Sequence, residues 1–169
     1  MSTSNERREV MENVHIGPVT EYSPELVDGI NRLLQELDPK FADSPITREI
    51  LEERIRSNSA DQFVATLNGE VIGCGVMSVV HGSLAKNGKR GHLEDFVTDE
   101  SWRGHGIGSK LWLAFIEWCR QKELVAMGFD TETYRPDALN FYINRGAEVL
   151  EANRFLWVDL TKLDGRSSQ

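Results

Sequence analysis

Arg103-Gly104-His105-Gly106-Ile107-Gly108-Ser109 stands at the start of the longest helical pattern in the chain, residues 105–122. Its three alternating glycines carry no Cβ atoms, so a ligand can approach the backbone closely there. The first N–H groups of a helix have no partner within the helix, and they carry the positive end of the helix dipole. The segment therefore predicts an anion site suited to a diphosphate.

The glycine spacing separates this segment from two other phosphate-binding loops. A dinucleotide fingerprint needs G-x-G-x-x-G, and here the third glycine, Gly108, comes one residue early. A P-loop needs G-x-x-x-x-G-K-[ST], and no glycine pair precedes Ser109-Lys110 at that separation. On this segment alone the alternative is a flexible turn whose glycines only help the helix to pack.

Apolar periodicity and turn residues divide the rest of the chain into strands and helices. Predicted strands cover residues 14–20, 62–67, 71–80, 92–98, 124–130, 147–150 and 155–160. Predicted helices cover residues 24–37, a segment from about 44 to 55, 105–122 and 136–145. The second helix is expected to begin near Ser44-Pro45 and to bury Ile46, Ile50, Leu51 and Ile55. This order predicts an α/β domain built on one mixed sheet.

The ends of the chain differ from its centre in composition. Residues 1–12 are polar and lack periodicity, so we expect a disordered tail, then a domain over residues 13–162 and a flexible C-terminus at 163–169. No apolar run approaches the length that crosses a membrane, and the first residues lack the apolar core of a signal peptide. We therefore expect a cytoplasmic protein with no membrane partner.

Charge and cysteine content exclude several classes of function. The chain has 19 basic and 27 acidic residues, a net charge of −8, which argues against a nucleic-acid partner. Cys74 and Cys119 lie in apolar segments and are interpreted as inert buried thiols rather than as a nucleophile. The four histidines are scattered, and no metal site is expected.

Three segments together resemble the GNAT superfamily of N-acetyltransferases. Within it they are most similar to the diamine (spermidine/spermine) and thialysine acetyltransferases. The segments are Leu93-Glu94-Asp95-Phe96, Arg103-Gly104-x-Gly106-Ile107-Gly108-Ser109 and Asn140-Phe141-Tyr142-x-x-Arg145-Gly146-Ala147. The chain departs from that branch at Arg135, where the branch has Asn, at Lys86, where it has an aromatic, and near Asn153, where an aromatic is missing.

The resemblance implies a fold and a co-substrate. The fold would be a GNAT-type α/β domain with a mixed, mostly antiparallel sheet of six to seven strands and about four flanking helices. Acetyl-CoA would be the co-substrate, without a metal, and the protein would be a homodimer. The residues implied in coenzyme binding are Phe96, Val97, Thr98, Arg103, Gly104, His105, Gly106, Ile107, Gly108, Ser109, Arg135, Asn140, Tyr142 and Arg145. For His105 we expect the backbone N–H, not the ring, to take part.

Acetyl transfer to an amine requires a group that removes a proton from the acceptor ammonium. An alkylammonium group has a pKa near 10.4, so freeing the amine at neutral pH costs roughly 4–5 kcal/mol. Glu94 is the candidate base that holds the ammonium and accepts its proton, with Asp95 beside it. Strand alternation places the two carboxylates on opposite faces unless a β-bulge intervenes. A backbone N–H near Phe96 or Val97 would stabilise the oxyanion, as the resemblance implies.

The resemblance also assigns Tyr142 the role of the general acid that protonates the leaving thiolate. Glu94, Asp95, Glu132 and Glu151 are the candidates for binding the acceptor. The segment 130–132 either lines the acceptor cleft or is a solvated strand end.

The sequence alone does not decide which amine accepts the acetyl group. The first hypothesis is direct acetyl transfer, in a ternary complex, to a small cationic amine that is polyamine-like or another primary amine. The alternatives are an amino sugar, an amino acid, an aminoglycoside or a protein amine, or a non-catalytic acyl-CoA sensor. The presence of both Glu94 and Tyr142 argues against the sensor, which needs neither a base nor an acid.

Overall fold

The computed structural model describes residues 13–82, 88–131 and 135–150. The chain forms two compact units, Met1–Phe129 and Asp130–Gln169. The predicted tail at 1–12, the predicted strand at 155–160 and the predicted flexible end at 163–169 lie outside the described residues.

In the first unit the described residues form an α/β fold of five strands and three α-helices. The strands are β1 (Val14–Pro18), β2 (Ala60–Leu67), β3 (Glu70–His81), β4 (Lys89–Thr98) and β5 (Met127–Gly128). The helices are α1 (Pro24–Leu37), α2 (Arg48–Arg56) and α3 (Ile107–Gln121). Short 3₁₀ helices cover Pro39–Asp43 and Glu100–Trp102.

The strands form one sheet in the order β1-β2-β3-β4-β5. Neighbours from β1 to β4 are antiparallel, and β5 pairs with β4 in parallel through Gly91 opposite Met127 and His92 opposite Gly128. A parallel neighbour requires a crossover, and α3 provides it. The prediction of a mixed sheet is confirmed.

The predicted count of six to seven strands is wrong for the described residues, which hold five. Residues 147–150 carry no strand. The strand predicted over 124–130 is only Met127–Gly128, because the chain before it still closes the helix. Leu124 N donates to Cys119 O at 2.9 Å, and Glu123 has φ +56°.

The start of α2 also differs from the prediction, whereas that of α1 does not. Helix α1 begins as predicted, with the Ser23 side chain accepting from Leu26 N. Helix α2 begins at Arg48 with Thr47 as its cap, not near Ser44-Pro45. Ile46 is held outside the helix by Asn31, whose side chain accepts from Ile46 N at 2.8 Å and donates to Ile46 O at 2.9 Å.

Of the four residues predicted to be buried near helix α2, Leu51 is fully buried, whereas Ile46 and Ile55 are partly buried. The prediction is wrong for Ile50, which is 48% exposed.

The two faces of the sheet pack against different helices. Helices α1 and α2 cover one face, where Leu33 and Leu51 join Val64, Cys74 and Val97 in one hydrophobic cluster.

Helix α3 lies close to the other face because three strand positions are glycines. An added Cβ would lie 2.9 Å from Leu111 at Gly73, 2.7 Å from Phe115 at Gly75 and 2.8 Å from Cys119 at Gly91. The Phe115 ring in turn meets Phe63 and Phe96 edge to face, at centroid distances of 5.4 and 5.2 Å.

We expect Gly75→Ala to lower the free energy of unfolding by about 1–3 kcal/mol, because the new methyl group overlaps a ring that is itself fixed by two other rings. Gly17→Ala is the matched control, since a Cβ at Gly17 meets no atom within 4 Å. Urea unfolding of both variants measures the difference. Equal stability of the two would contradict the close packing of α3 on β3.

The second unit contains α4 (Pro136–Ile143), shorter than the predicted 136–145. A turn at residues 144–146 ends the helix, and Gly146 takes φ +88°, which favours glycine. Among the described residues of both units, no helix is long and apolar enough to cross a membrane.

Candidate functional site

Two glycines of the loop adopt a left-handed backbone conformation and delay the start of the helix. Gly104 and Gly106 have φ +76° and +89°, the left-handed region that favours glycine, so α3 begins at Ile107 and not at the predicted residue 105. A Cβ at Gly104 would meet nothing within 4 Å, so the backbone there is open. No side chain of the described residues caps this helix start. Its amides and dipole fit a diphosphate.

Side chains of the loop make local hydrogen bonds. Arg103 Nε donates to Thr98 O at 3.1 Å, which ties the loop to the end of β4. The N–H of His105 donates to Trp102 O at 3.3 Å, and its ring nitrogen Nδ1 lies 3.0 Å from Arg103 O. The backbone N–H of His105 was predicted to meet the ligand, and in this structure it is engaged within the loop.

An ionic network anchors the loop to α1, which the sequence did not reveal. Arg32 forms ion pairs with the buried Asp99 and with Glu36, the latter at 3.1 Å. Glu36 Oε2 accepts from Glu100 N at 3.1 Å and lies 3.9 Å from Arg103 Nη2. The segment between β4 and the glycines is therefore held from one side by a single helix.

A β-bulge lies in the middle of β4. Val76 pairs with Glu94 and Cys74 pairs with Val97, so Asp95 and Phe96 together face one residue of β3. Asp95 has φ +53°, and its carbonyl oxygen accepts a hydrogen bond from Cys74 Sγ at 3.7 Å. The bulge changes the alternation of side chains, and it is the exception under which both carboxylates can serve one site.

The edge of β4 that pairs with β5 loses its partner strand just before the bulge. Pairing with β5 ends at His92 and Gly128, so residues 93–98 have no neighbouring strand on that edge among the described residues. Val97 is buried in the core, and Phe96 packs on Phe115. The outer edge of the bulge therefore pairs with no strand among the described residues.

A cavity of about 190 Å³ lies on the side of the sheet covered by α1 and α2, and Asp95 lines it. Its apolar walls are Leu34, Phe41, Ile46, Ile50, Leu51 and Val76. Its other lining residues are Ser44, Arg54, Gln62 and Asp95. The Gln62 amide donates to Phe63 O and Gly75 O, at 3.1 and 3.2 Å, so its position is fixed.

Asp95 and Glu94 have different surroundings. Burial raises the pKa of Asp95, the charge of Glu94 raises it further, and Arg54 opposes both. Glu94 is exposed and does not line the cavity; its Oε1 lies 3.7 Å from His92 Nε2. A raised pKa is what a carboxylate needs to accept a proton from an amine near neutral pH. Asp95 is therefore the one of the two carboxylates that is partly buried and lines the cavity.

The second unit carries the predicted acid. Tyr142 is buried on α4, and burial raises its pKa; Arg135 acts to lower it and Asp130 to raise it. The phenol therefore keeps its proton at neutral pH.

Two other predicted coenzyme-binding residues, one on α4 and one in the turn after it, make local contacts. Arg145 Nη1 donates to Phe141 O at 2.9 Å, and its guanidinium lies 3.5 Å from the centre of the Phe141 ring. Asn140 is exposed, and its carbonyl oxygen accepts from Asn144 N at 3.0 Å.

Some predicted site residues lie outside the described residues, namely Glu132 and Glu151. Asp130 is exposed and Thr131 is partly buried.

Both cysteines are buried, as predicted, and burial raises their pKa values, so neither is activated as a nucleophile. The described residues contain no cluster of three His, Cys, Asp or Glu side chains that could hold a metal ion.

Comparison with protein families decides the class of the chain. A model described as the acetyltransferase (GNAT) family matches residues 27–147, which is well over half of the sequence. The chain belongs to this family. It is an N-acetyltransferase of the GNAT type, and enzymes of this family use acetyl-CoA.

Solved GNAT-type structures share the fold at low sequence identity. An aminoglycoside acetyltransferase from an uncultured soil metagenomic sample, in complex with trehalose, superposes with a TM-score of 0.77 at 20% identity, over 89% of this chain and 99% of that one. Glucosamine-6-phosphate N-acetyltransferase from Arabidopsis thaliana has a TM-score of 0.66 at 19% identity, over 86% and 99%. An aminoglycoside N-acetyltransferase in complex with CoA has a TM-score of 0.66 at 20% identity, over 86% and 93%.

Within this acetyltransferase, sequence reasoning predicted roles for the loop and the two carboxylates but did not predict the cavity that Asp95 lines. Its walls come from α1, the 3₁₀ helix at Pro39–Asp43, α2 and three strands, which only the fold brings together. Gln62 carried one usable signal, because it is a polar residue within an apolar strand pattern and is 4% exposed. Arg54 carried none.

Proposed function

We propose that this GNAT enzyme transfers the acetyl group of acetyl-CoA directly to the primary amine of a small acceptor while both substrates are bound. One observation carries the proposal: the β4 bulge presents the half-buried carboxylate of Asp95 to a cavity, and the same strand leads into the glycine-bearing start of α3.

The start of α3 would hold the diphosphate of the coenzyme. The glycines at 104 and 106 leave the backbone free of Cβ atoms, and the helix dipole favours an anion there. Arg103 lies on the same loop and is about half exposed, so its guanidinium adds a positive charge near the anion. Acetyl-CoA, when bound, supplies an activated thioester.

Asp95 would bind the acceptor ammonium and accept its proton, and Glu94 would support it through charge. An N–H of the bulge would donate a hydrogen bond to the developing oxyanion, at the edge where β4 and β5 separate. Tyr142 would return a proton to the leaving thiolate.

The proposal also concerns the chemical class of the acceptor amine. The motif around Leu93 and Asn140 supports a polyamine-like acceptor, whereas the descriptions of the solved relatives name aminoglycosides and glucosamine-6-phosphate. A homodimer and a cytoplasmic location remain proposals that rest on the sequence alone.

The test is thiol release from acetyl-CoA with a panel of small amines, followed by the pH profile of kcat/KM. Activity requires ionised Asp95, so it is present above the raised pKa of that group and is lost as the pH falls through it. Because the charge of Glu94 helps to raise this pKa, we expect Glu94→Gln to move the acidic limb to lower pH and to leave the plateau largely intact.

Glu117→Gln, on the exposed face of α3, is the control and should leave the limb in place. Loss of turnover at every pH in Glu94→Gln would instead assign the role of base to Glu94. Absence of thiol release with every amine would overturn the proposed function.

A further inference from the structure

We infer that the acceptor carries a carboxylate close to its primary amine, together with an apolar body, as an amino acid with a hydrophobic side chain does. This inference rests on the proposed function and assigns Arg54 as the residue that binds the acceptor carboxylate. It is drawn from the charges and walls of the cavity at the β4 bulge.

The cavity presents two opposite charges that do not neutralise each other. Asp95 and Arg54 both line it, and they form no ion pair with each other among the contacts of the described residues. They are still close enough for Arg54 to act on the ionisation of Asp95. A ligand that carries both an ammonium and a carboxylate therefore matches the two charges of the cavity.

Arg54 differs from the two other arginines of α2. Arg48 and Arg56 both pair with Glu52, at 2.7 and 3.6 Å, and their side chains are more than half exposed. Arg54 is partly buried, lines the cavity and has no carboxylate partner among the described residues. A planar guanidinium in this position is suited to bind a carboxylate in a bidentate manner.

Apart from Ser44 and Gln62, the remaining walls are apolar, which favours an apolar acceptor body. Leu34, Phe41, Ile46 and Val76 offer no hydrogen-bond partners from their side chains to the hydroxyl groups of a sugar. A polyamine would bring a second ammonium toward Arg54, and like charges at close range repel. Among the described lining residues Asp95 is the only carboxylate, so a second cation would have no counter-charge there.

The experiment compares kcat/KM for matched acceptors at saturating acetyl-CoA. The acceptors are L-phenylalanine, L-phenylalaninamide and phenethylamine, together with spermidine and kanamycin. A hydrogen bond between charged groups contributes substantial binding free energy. We therefore expect kcat/KM for L-phenylalanine to be about 10- to 100-fold higher than for the amide or phenethylamine.

The Arg54→Gln variant should raise KM for L-phenylalanine by about 10-fold or more, with kcat nearly unchanged. It should change phenethylamine turnover by less than about twofold, because that amine has no carboxylate to lose. Arg54→Lys should recover part of the loss. Arg56→Gln is the matched control on the same helix, outside the cavity, and should affect neither acceptor.

The outcomes separate the two proposals. Turnover of spermidine or kanamycin above that of L-phenylalanine, or an equal effect of Arg54→Gln on all acceptors, overturns the inference and leaves the acetyltransferase proposal standing. If calorimetry detects no acetyl-CoA binding and no acceptor releases thiol, both proposals fail.

Discussion

We expect Gly106→Val to abolish acetyl-CoA binding while the fold persists. Gly106 has φ +89° and ψ 0°, a conformation that a β-branched residue adopts only with strain. Either the protein keeps this conformation, at a cost of about 1–3 kcal/mol in stability, or the backbone rotates and turns the amides at the start of α3 away from the anion. A side chain at this position also occupies the space through which a diphosphate must approach.

We expect calorimetry to show acetyl-CoA affinity reduced by at least about 100-fold, because several charge-assisted hydrogen bonds are lost together. Gly69→Val is the matched control: Gly69 has φ +85°, a Cβ there meets nothing within 4 Å, and it lies in the hairpin turn between β2 and β3. This control should lose similar stability but retain coenzyme binding. Undiminished binding by Gly106→Val would remove the loop from the coenzyme site.

Tyr142→Phe should lower kcat by about 10²- to 10⁴-fold, the range for loss of a general acid. The reason is specific to the hydroxyl group, since Phe retains the ring that packs in the buried position on α4. The KM values and the affinity for acetyl-CoA should change little. Because burial raises the pKa of Tyr142, its proton is available throughout the neutral range, and wild-type activity should not fall until well into the basic range.

Tyr22→Phe removes a hydroxyl group from a tyrosine packed beside the core of the first unit, and it should leave kcat unchanged. Thiol-release kinetics on both variants provide the measurement, with a melting curve to establish that each is folded. If kcat of Tyr142→Phe equals that of wild type, another group protonates the thiolate.

The sequence predicted a helix or turn correctly where residues close together in the chain determine its conformation. The helix predicted over 24–37 has these bounds in the structure, and the turn at Asn68-Gly69 joins the strands predicted over 62–67 and 71–80. The glycines at 104 and 106 marked a helix start because they permit a conformation that other residues avoid. These features need no partner from elsewhere in the chain.

Errors occurred where distant residues decided the outcome. The start of α2 moved to Arg48 because Asn31, on another helix, binds the backbone of Ile46. The strand after α3 is short because its first residues still bond back to the helix. Strand alternation also could not show which of Glu94 and Asp95 is buried, because burial depends on α1 and α2 packing over the bulge.

The sequence by itself indicated the family, which is confirmed, and predicted an anion site, because glycine spacing and helix polarity are properties of a contiguous segment. Only the tertiary structure decided which carboxylate faces the cavity and that Arg54 shares it. The physical reason is that the desolvation and Coulomb interactions that perturb an ionisable group come from side chains that are distant in sequence and near in space.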